Sequence, residues 1–316
     1  MNIPYFDAHC DTLSVMKATG QAFSNNSLHV AQDRGTMYKP WAQFFAIFAS
    51  DKLKTEEGFR GGLDDFKAQY QVFANILEQH GNQLSFCKNV RDLERAKQEE
   101  KTAAFLSVEG AELLDCSLSR LEEAYQLGVR MCGLTWNYQN ALSGSNMENP
   151  DRGLTTLGRQ FVEKCQTLGM IVDVSHLGPK GFWDVAEMLE VPFVASHSNS
   201  AKLWPHSRNL TDEQFMAVVK AKGAVGLNLY ADFLGEDPDI DTVISHIRHF
   251  IDLGGEKTIA IGGDLDGCKR LPKEIHGLQD IWKIADRLLQ KNYSESLIYD
   301  IFYENLKRVV AEVCVI

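Results

Sequence analysis

The amino-acid sequence predicts a (β/α)8 barrel, and three observations lead to that fold class. Eight short apolar runs alternate with segments of helical spacing, which is the element order of eight parallel strands each followed by a helix. Most of these runs are almost continuously apolar, as strands buried in a parallel sheet require. Several runs stop at a His, Asp or Glu. In a (β/α)8 barrel the carboxyl ends of the strands converge on one face, and barrel enzymes carry their active sites there.

The predicted strands follow one another from the N-terminus to residue 262. They lie at 3–9, 43–49, 102–108, 129–135, 170–175, 192–196, 223–229 and 257–262. Two longer polar segments, 12–40 and 137–153, are predicted as loops over the barrel mouth, and the second is rich in Asn, Gly and Ser.

Helical spacing of apolar residues marks the segments between the strands. Two sets keep this spacing: Leu63, Phe66, Tyr70, Phe73 and Leu77, and then Leu157, Phe161, Cys165 and Leu168. Gly81 and Gly169 follow these stripes and supply the signals that end a helix. After the last strand, 278–291 and 294–312 are predicted as two closing helices.

Length and composition limit the class of protein. The chain has 316 residues, 44% of them hydrophobic, and a net charge of −11. A single (β/α)8 barrel domain spanning 1–316 fits this length. The acidic balance argues against general binding to nucleic acid or to an anionic membrane, because both need clustered Lys and Arg.

The sequence carries no recognisable signal for export or membrane insertion. The N-terminal residues MNIPYFDAHCD reach His9, a residue of the candidate metal site discussed below, before the charged and apolar segments of a signal peptide could be completed. The sequence also has no run of about 18 uncharged apolar residues that could span a bilayer. Seven scattered cysteines, an odd number, favour reduced thiols over a disulfide framework. We therefore expect a cytoplasmic protein, and we expect Cys10 to be a small buried residue.

Imidazoles and carboxylates at the strand ends form a candidate metal site. Six residues stand where an apolar run stops: His9, Asp11, Glu109, His176, His197 and Asp264. Neutral His nitrogens and carboxylate oxygens are zinc ligands, and a catalytic zinc site leaves a position open for water. The sequence therefore predicts a metal-dependent hydrolase that uses zinc.

These residues are supported by different patterns. His9 and Asp11 lie on the same side of a strand because side chains alternate with a period of two. His176 and His197 end consecutive strands, which lie about 4.8 Å apart, so both rings can reach one ion. The ordinary alternatives are a hydrogen-bonded structural pair for His9 and Asp11, and a solvated loop carboxylate for Glu109. The combination favours the metal site.

Six sequence motifs occur in one order along the chain. They are DAHCDTL, LSVEGAELL, LGMIVDVSHLGPKGFWDV, VPFVASHSNSAKL, HSRNLTDEQ and IAIGGDLDG. Together they resemble the membrane (renal) dipeptidase family of the amidohydrolase superfamily, in a soluble form of bacterial type. The resemblance runs from about residue 5 to the C-terminus, where GLQDIWKIADRLLQKNYSESLIYDIFYENLKRV is similar to the family's closing helices.

The resemblance implies two zinc ions in each chain and a role for each candidate ligand. His9 and Asp11 would hold the first ion, and His176 and His197 would hold the second. Glu109 would bridge the two. A hydroxide between the metals would then be the nucleophile, so that no Ser or Cys nucleophile is needed.

Two further residues match motifs of the family. Asp264, in GGDLD, matches the catalytic acid/base, and Arg208, in HSRNL, matches the residue that pairs with the free carboxylate of the substrate. Family members hydrolyse dipeptides, and some accept a D-residue at the C-terminal position. A planar guanidinium suits a carboxylate, which explains selection for a short peptide.

The chain departs from the family pattern at the end of the fourth strand. Relatives commonly have a Thr-His pair there, whose imidazole helps to hold the substrate or its oxyanion, whereas this chain has GLTWNYQN with Trp136. Trp136 either forms a wall of the pocket or donates a hydrogen bond from its indole. Asn137 or Asn140 could supply an amide donor in place of the His.

The predicted function is thus a zinc dipeptidase acting on small dipeptides, with no nucleic-acid or membrane partner. One alternative is a related amidohydrolase with the same metal site that acts on a β-lactam or an N-acyl amino acid. Another is a non-catalytic barrel that only binds its ligand. The side chains and stereochemistry of the substrate are left open by the sequence, as is the choice between a monomer and a homodimer.

Overall fold

The eight predicted strands form a closed parallel barrel in the computed structural model, which describes residues 3–56 and 58–315. Each strand overlaps a predicted run, so the predicted (β/α)8 fold is confirmed. The strands are β1 (Tyr5–Cys10), β2 (Trp41–Phe48), β3 (Thr102–Glu109), β4 (Val129–Gly133), β5 (Ile171–Asp173), β6 (Val194–Ala195), β7 (Ala224–Leu227) and β8 (Ile259–Ile261).

The barrel closes because β1 and β2 have a barrel neighbour on both edges. β1 pairs with β8 through Asp7 and Ile261, and with β2 through Tyr5 and Trp41. β2 pairs in turn with β3 along most of its length. Additional short strands lie outside this circuit: Leu84–Phe86 on the start of β3, and Lys54–Thr55 antiparallel to Gly58–Phe59.

Helices surround the strands, and two of them bury the middle of the apolar stripes that the sequence predicts. They are α1 (Thr12–Thr19), α2 (Gln32–Gly35), α3 (Gly62–Gln79), α4 (Val90–Gln98), α5 (Leu118–Gln126), α6 (Thr156–Leu168), α7 (Pro179–Met188), α8 (Asp212–Lys220), α9 (Ile240–Asp252), α10 (Trp282–Gln290), α11 (Glu295–Tyr299) and α12 (Asn305–Val313). Phe66 and Phe73 of α3 and Phe161 and Cys165 of α6 are buried. Gly169 ends α6 with a φ of 71°, as its position predicts.

Aromatic side chains fill the barrel at the end opposite the candidate site. The rings of Phe6, Phe44 and Phe105 lie 5.0 to 5.7 Å apart, centroid to centroid. Tyr303, in the π-helical turn that joins α11 to α12, packs 5.9 Å from Phe6. The closing helices are therefore confirmed, and they pack near the start of β1, away from the carboxyl ends of the strands.

A β-bulge in β1 directs His9 toward the barrel mouth, where the strands have their carboxyl ends. Asp7 pairs with Gln43, but Cys10 pairs with Phe45, so β1 holds one residue more than β2 over the same stretch. Bulges of this kind commonly re-aim side chains beside active sites. His9 thereby faces the barrel mouth, whereas Cys10 points away from it and is buried, as predicted.

The prediction of a loop at 12–40 is wrong in part. The segment contains α1, which buries Leu13 and Met16 and ends at Gly20 with a φ of 70°, and it also contains the short α2. The helix was missed because its apolar pattern is brief and the surrounding segment is polar. The prediction for 137–153 is confirmed, because this stretch has neither helix nor strand.

The cysteines agree with a further expectation. All seven cysteines are buried and unpaired. Within residues 3–56 and 58–315, every helix is too short or too polar to cross a membrane.

Candidate metal centre

Six side chains from five strands meet at the barrel mouth. Glu109 is the last residue of β3, and His9 lies at the end of β1. The other four follow the strand ends closely along the chain: Asp11 after β1, His176 after β5, His197 after β6 and Asp264 after β8. The parallel barrel therefore brings the predicted residues together, as their positions in the sequence imply.

Glu109 divides the surrounding ligands into two groups. Its Oε1 lies 2.7 Å from His176 Nε2 and 3.3 Å from His197 Nε2, and we call these three atoms the His176 site. Its Oε2 lies 3.3 Å from His9 Nε2, which is 3.6 Å from Asp11 Oδ1, and we call these three atoms the His9 site. One carboxylate thus faces two clusters of nitrogen and oxygen atoms.

The burial of these atoms fits a bound cation. All six side chains belong to residues that are at most 8% exposed. His9 Nε2, Asp11 Oδ1 and Glu109 Oε2 are buried without a hydrogen-bond partner, although leaving such atoms unpaired is costly. Ligand atoms of His9, Asp11 and Asp264 lie within 4.8 Å of one another, as do those of His9, Glu109 and His197. A divalent ion would satisfy these atoms.

The electrostatics of the three imidazoles also fit a cation. Burial opposes protonation of His9, but the carboxylates of Glu109 and Asp11 outweigh it and raise the pKa of His9, so this position favours positive charge. Burial, with the charge of Arg208, lowers the pKa of His176 to about 4. Burial likewise lowers the pKa of His197 well below its usual value. Neutral imidazoles are the form that binds zinc.

Asp264 is held beside the His9 site by the turn that follows β8. Its backbone has a φ of 52°, and its N–H donates to His9 O at 3.2 Å. Gly267 lies so close that a Cβ there would overlap with the carboxylates of Asp11 and Asp264. Asn228 donates from Nδ2 to Asp264 Oδ2 at 3.0 Å. Burial, together with the charge of Asp11, raises the pKa of Asp264 to about 7.

Arg208 is a buried cation next to the His176 site. It is 4% exposed, and its guanidinium donates to the backbone oxygens of Ser175 and His197. Its Nε is buried with no partner, and burial lowers the pKa of Arg208 to about 10. The carboxylates of Glu109, Asp264 and Asp173 act on this charge only through space, and the bonded partners are neutral carbonyls, so the guanidinium keeps a free donor for an anionic ligand.

Trp136 stands at the edge of the site among other rings. Its ring centroid lies 4.9 Å from that of Phe48, 5.8 Å from that of Tyr138 and 6.4 Å from that of His176. The indole is half-buried and packs edge-on against Phe48. This arrangement makes Trp136 part of an aromatic wall beside the His176 site.

The two candidate amide donors have different surroundings. Asn137 Oδ1 lies 3.1 Å from His176 Nδ1, so Asn137 touches a candidate ligand directly. Asn140 donates from Nδ2 to Glu112 Oε2 at 2.8 Å and to Leu134 O at 2.7 Å. Both amide protons of Asn140 are used in these bonds, which leaves none for a ligand. The structure therefore does not bring Asn140 to the metal centre.

Sequence reasoning missed three residues that support the site. Asp173 and Ser196 lie behind His197, and Asn228 holds Asp264. A serine precedes both His176 and His197 in the sequence, and this repeated Ser-His pair is a signal that could have pointed to a supporting network. Asn228 carries no comparable signal, because its role depends on the fold of β7 and β8.

Comparison with known proteins matches the chain to one protein family. The family model for the membrane dipeptidases, peptidase family M19, matches residues 1–315. A Klebsiella pneumoniae protein described as an uncharacterized protein in the pqqA 5′ region is 31% identical over 263 residues, 79% of this chain and 97% of that protein. An uncharacterized dipeptidase of Schizosaccharomyces pombe is 34% identical over 231 residues, 70% of this chain and 55% of that protein.

Solved structures share the whole fold. A Rhodobacter sphaeroides metallopeptidase, liganded with a phosphinate mimic of L-Ala-D-Ala, superposes with a TM-score of 0.91 at 24% identity, covering 99% of this chain and 100% of that one. A structure described as the dipeptidase AC, a metallopeptidase of family M19, gives a TM-score of 0.88 at 25% identity, with 99% of each chain covered. On the match of the family model along its length, the chain belongs to the membrane dipeptidase family of metal-dependent peptidases.

Proposed function

We propose that the chain is a dipeptidase that holds two zinc ions at the barrel mouth. His9 and Asp11 would bind one ion and His176 and His197 the other, with Glu109 as the shared ligand. The observation that carries the proposal is the position of Glu109, whose two oxygens face two separate groups of ligand atoms at 2.7 to 3.3 Å. When bound, the ions would polarise the scissile carbonyl and lower the pKa of an attacking water.

Asp264 is the group that we propose to move the proton. It would take the proton from the attacking water and pass it to the departing amine. Burial and the charge of Asp11 raise the pKa of Asp264 to about 7 in the absence of metal, and bound cations would lower it, so that the carboxyl would be ionised and able to accept the proton. Asn228 occupies Oδ2, which leaves Oδ1 for the transfer. No nucleophilic Ser or Cys is required.

Arg208 sets the class of substrate. A buried guanidinium that bonds only to backbone carbonyls is stabilised by an anionic ligand, and the free carboxylate of a dipeptide supplies that anion with matching planar geometry. Arg208 donates to the backbone oxygen of Ser175, the residue before His176, so a carboxylate bound to this guanidinium would lie beside the His176 site. Because the Rhodobacter sphaeroides neighbour binds a mimic of L-Ala-D-Ala, we include dipeptides with a C-terminal D-residue.

A substrate panel separates this proposal from its alternatives. The full chain, stripped with a chelator and reloaded with zinc, would be assayed on L,L and L,D dipeptides, N-acetyl amino acids and a β-lactam. We expect the highest kcat/KM on dipeptides. Faster hydrolysis of an N-acetyl amino acid or of the β-lactam would favour a related amidohydrolase with the same metal centre. Tight binding of dipeptides without any turnover would favour the non-catalytic alternative.

A further inference from the structure

The imidazole of His197 is tied to a chain of hydrogen bonds behind the metal centre. Asp173 Oδ1 accepts from the backbone N–H groups of Ser175 at 3.0 Å and Ser196 at 2.9 Å. The hydroxyl of Ser196 donates to Asp173 Oδ2, and Ser196 Oγ lies 2.7 Å from His197 Nδ1. A hydroxyl has one proton to donate, so Ser196 Oγ must accept from His197 Nδ1. The proton of the neutral ring is therefore on Nδ1.

The imidazole of His176 is held in the same state by a different residue. Asn137 Oδ1 lies 3.1 Å from His176 Nδ1, and an amide oxygen can only accept. The main chain of Asn137 is itself fixed, because its carbonyl accepts from Ser145 Oγ at 2.6 Å. Asn137 stands in the polar loop after β4. Asp173 is the last residue of β5, and Ser196 directly follows β6. Unrelated segments thus impose one tautomer on both rings.

This tautomer decides whether the two rings can bind a cation. Both Nε2 atoms point at Glu109 Oε1, at 2.7 and 3.3 Å. In the other tautomer, an Nε2 proton would be donated to this carboxylate, and the ring would offer its lone pair only at Nδ1, which faces away from the site. A hydrogen bond at Nδ1 removes that competing state and also fixes the orientation of the ring.

We propose that Asn137 and the Ser196–Asp173 pair are positioning residues for the ion of the His176 site. They hold His176 and His197 with the proton on Nδ1 and the lone pair on Nε2. Asn137 and Ser196 contact the rings of these two histidines, and Asp173 acts on His197 through Ser196. They should therefore control the affinity of the His176 site and leave that of the His9 site unchanged. The inference rests on the proposed function, because it needs two ions, and it adds residues whose role is to prepare one of the two sites.

Zinc affinity tests the inference without any assay of activity. The full chain would be stripped with a chelator and titrated with zinc against a competing chelating dye, for the native sequence, Asn137→Ala and Ser196→Ala. We expect one dissociation constant to rise roughly 10- to 100-fold in both variants, the usual effect of removing a residue that supports a metal ligand. The other constant should not change, and it should equal the constant that remains in His176→Ala.

Three further variants complete the design. Asn137→Asp and Ser196→Thr keep an acceptor at Nδ1, so both should restore tight binding at the His176 site. Ser143→Ala removes a buried hydroxyl elsewhere in the loop after β4 and should leave both constants unchanged. If Ser196→Ala does not fold, Asn137→Ala decides the question, because Asn137 is only half-buried.

The outcomes distinguish a failure of the positioning role from a failure of the proposed function. A native chain that binds two ions, with both constants unchanged in Asn137→Ala and Ser196→Ala, overturns the positioning role alone. A native chain that binds fewer than two ions contradicts the proposed function, and with it the inference. Selective weakening of one site, with rescue by Asn137→Asp, confirms the role.

Discussion

The Nε2 atoms of His176 and His197 lie 3.0 Å apart, although the helix α7 and the strand β6 lie between the two residues in the chain. Two nitrogens bound to one tetrahedral zinc at 2.0–2.1 Å stand about 3.3 Å from each other. The side chains are therefore already arranged almost as a single ion requires. Little rearrangement is needed on binding, which favours high affinity.

Asp264 should be essential for turnover and dispensable for most of the metal binding. Asp264→Asn keeps the shape of the side chain but removes the group that exchanges the proton. We expect kcat to fall on the order of 10²-fold or more, with zinc content close to that of the native chain. Steady-state kinetics and metal analysis check this. Asp252→Asn, at an exposed position, is the matched control. Near-normal turnover in Asp264→Asn would contradict the role.

Arg208 should matter only for substrates with a free carboxylate. We expect Arg208→Met to lower kcat/KM for dipeptides by a factor corresponding to about 2–5 kcal/mol, because a buried charge pair is lost, and to change C-terminal dipeptide amides far less. Parallel kinetics on each dipeptide and its amide provide the measurement. Arg270→Met, which removes a mostly exposed arginine, serves as the control. Equal damage to acids and amides would count against direct pairing.

Trp136 should shape specificity rather than set the overall rate. Its ring packs against Phe48 and Tyr138 beside His176, so Trp136→His removes a pocket wall as well as adding a donor. We expect the order of preference among L,L and L,D dipeptides to change in Trp136→His, and to change less in Trp136→Phe, which keeps an aromatic wall. If Trp136→His multiplies every kcat/KM by the same factor, Trp136 does not determine specificity.

Buried His246 should make the fold less stable as the pH falls. Its Nδ1 accepts from Ser200 N, its Nε2 lies 3.3 Å from Leu234 O, and burial lowers its pKa to about 4. Between the usual pKa of about 6.5 and this value, the unfolded chain binds a proton that the folded chain does not, so stability decreases as pH decreases. The contribution reaches up to about 3 kcal/mol near pH 4.

Urea denaturation at about pH 7 and about pH 5 measures this effect, and the native chain should lose more stability on acidification than His246→Asn. The difference between these two losses of stability isolates His246, because the carboxylates and metal ligands are the same in both proteins and contribute equally to each loss. Identical losses in the two proteins would mean that His246 does not contribute.

The sequence was sufficient to predict the barrel, because a buried parallel strand requires a continuous apolar run and its end is marked by the polar residue where that run stops. It placed His9 and Glu109 at one face correctly, since the carboxyl ends of barrel strands must converge. It could not reveal the bulge between Asp7 and Cys10, because a bulge depends on how two strands pair. That the chain is a single domain stays a prediction.

The details of the site depended on contacts between distant segments. Asn137 and Asn140 have the same side chain and cannot be told apart in the sequence. Asn137 contacts His176, whereas Asn140 donates both amide protons to Glu112 and Leu134. The positive φ of Asp264 is equally invisible in the residue type, although Asp tolerates it better than most residues. Loop conformations of this kind are decided by packing rather than by local pattern.

The central claim is a pair of zinc ions shared through Glu109, and a zinc titration followed by dipeptidase assay tests it most directly. The stripped chain should be inactive, should bind two zinc ions and should gain its activity as the second ion binds. Glu109→Ala should lose both the zinc and the activity, because its oxygens serve both sites. A chain that is fully active after its metal has been removed would contradict the account.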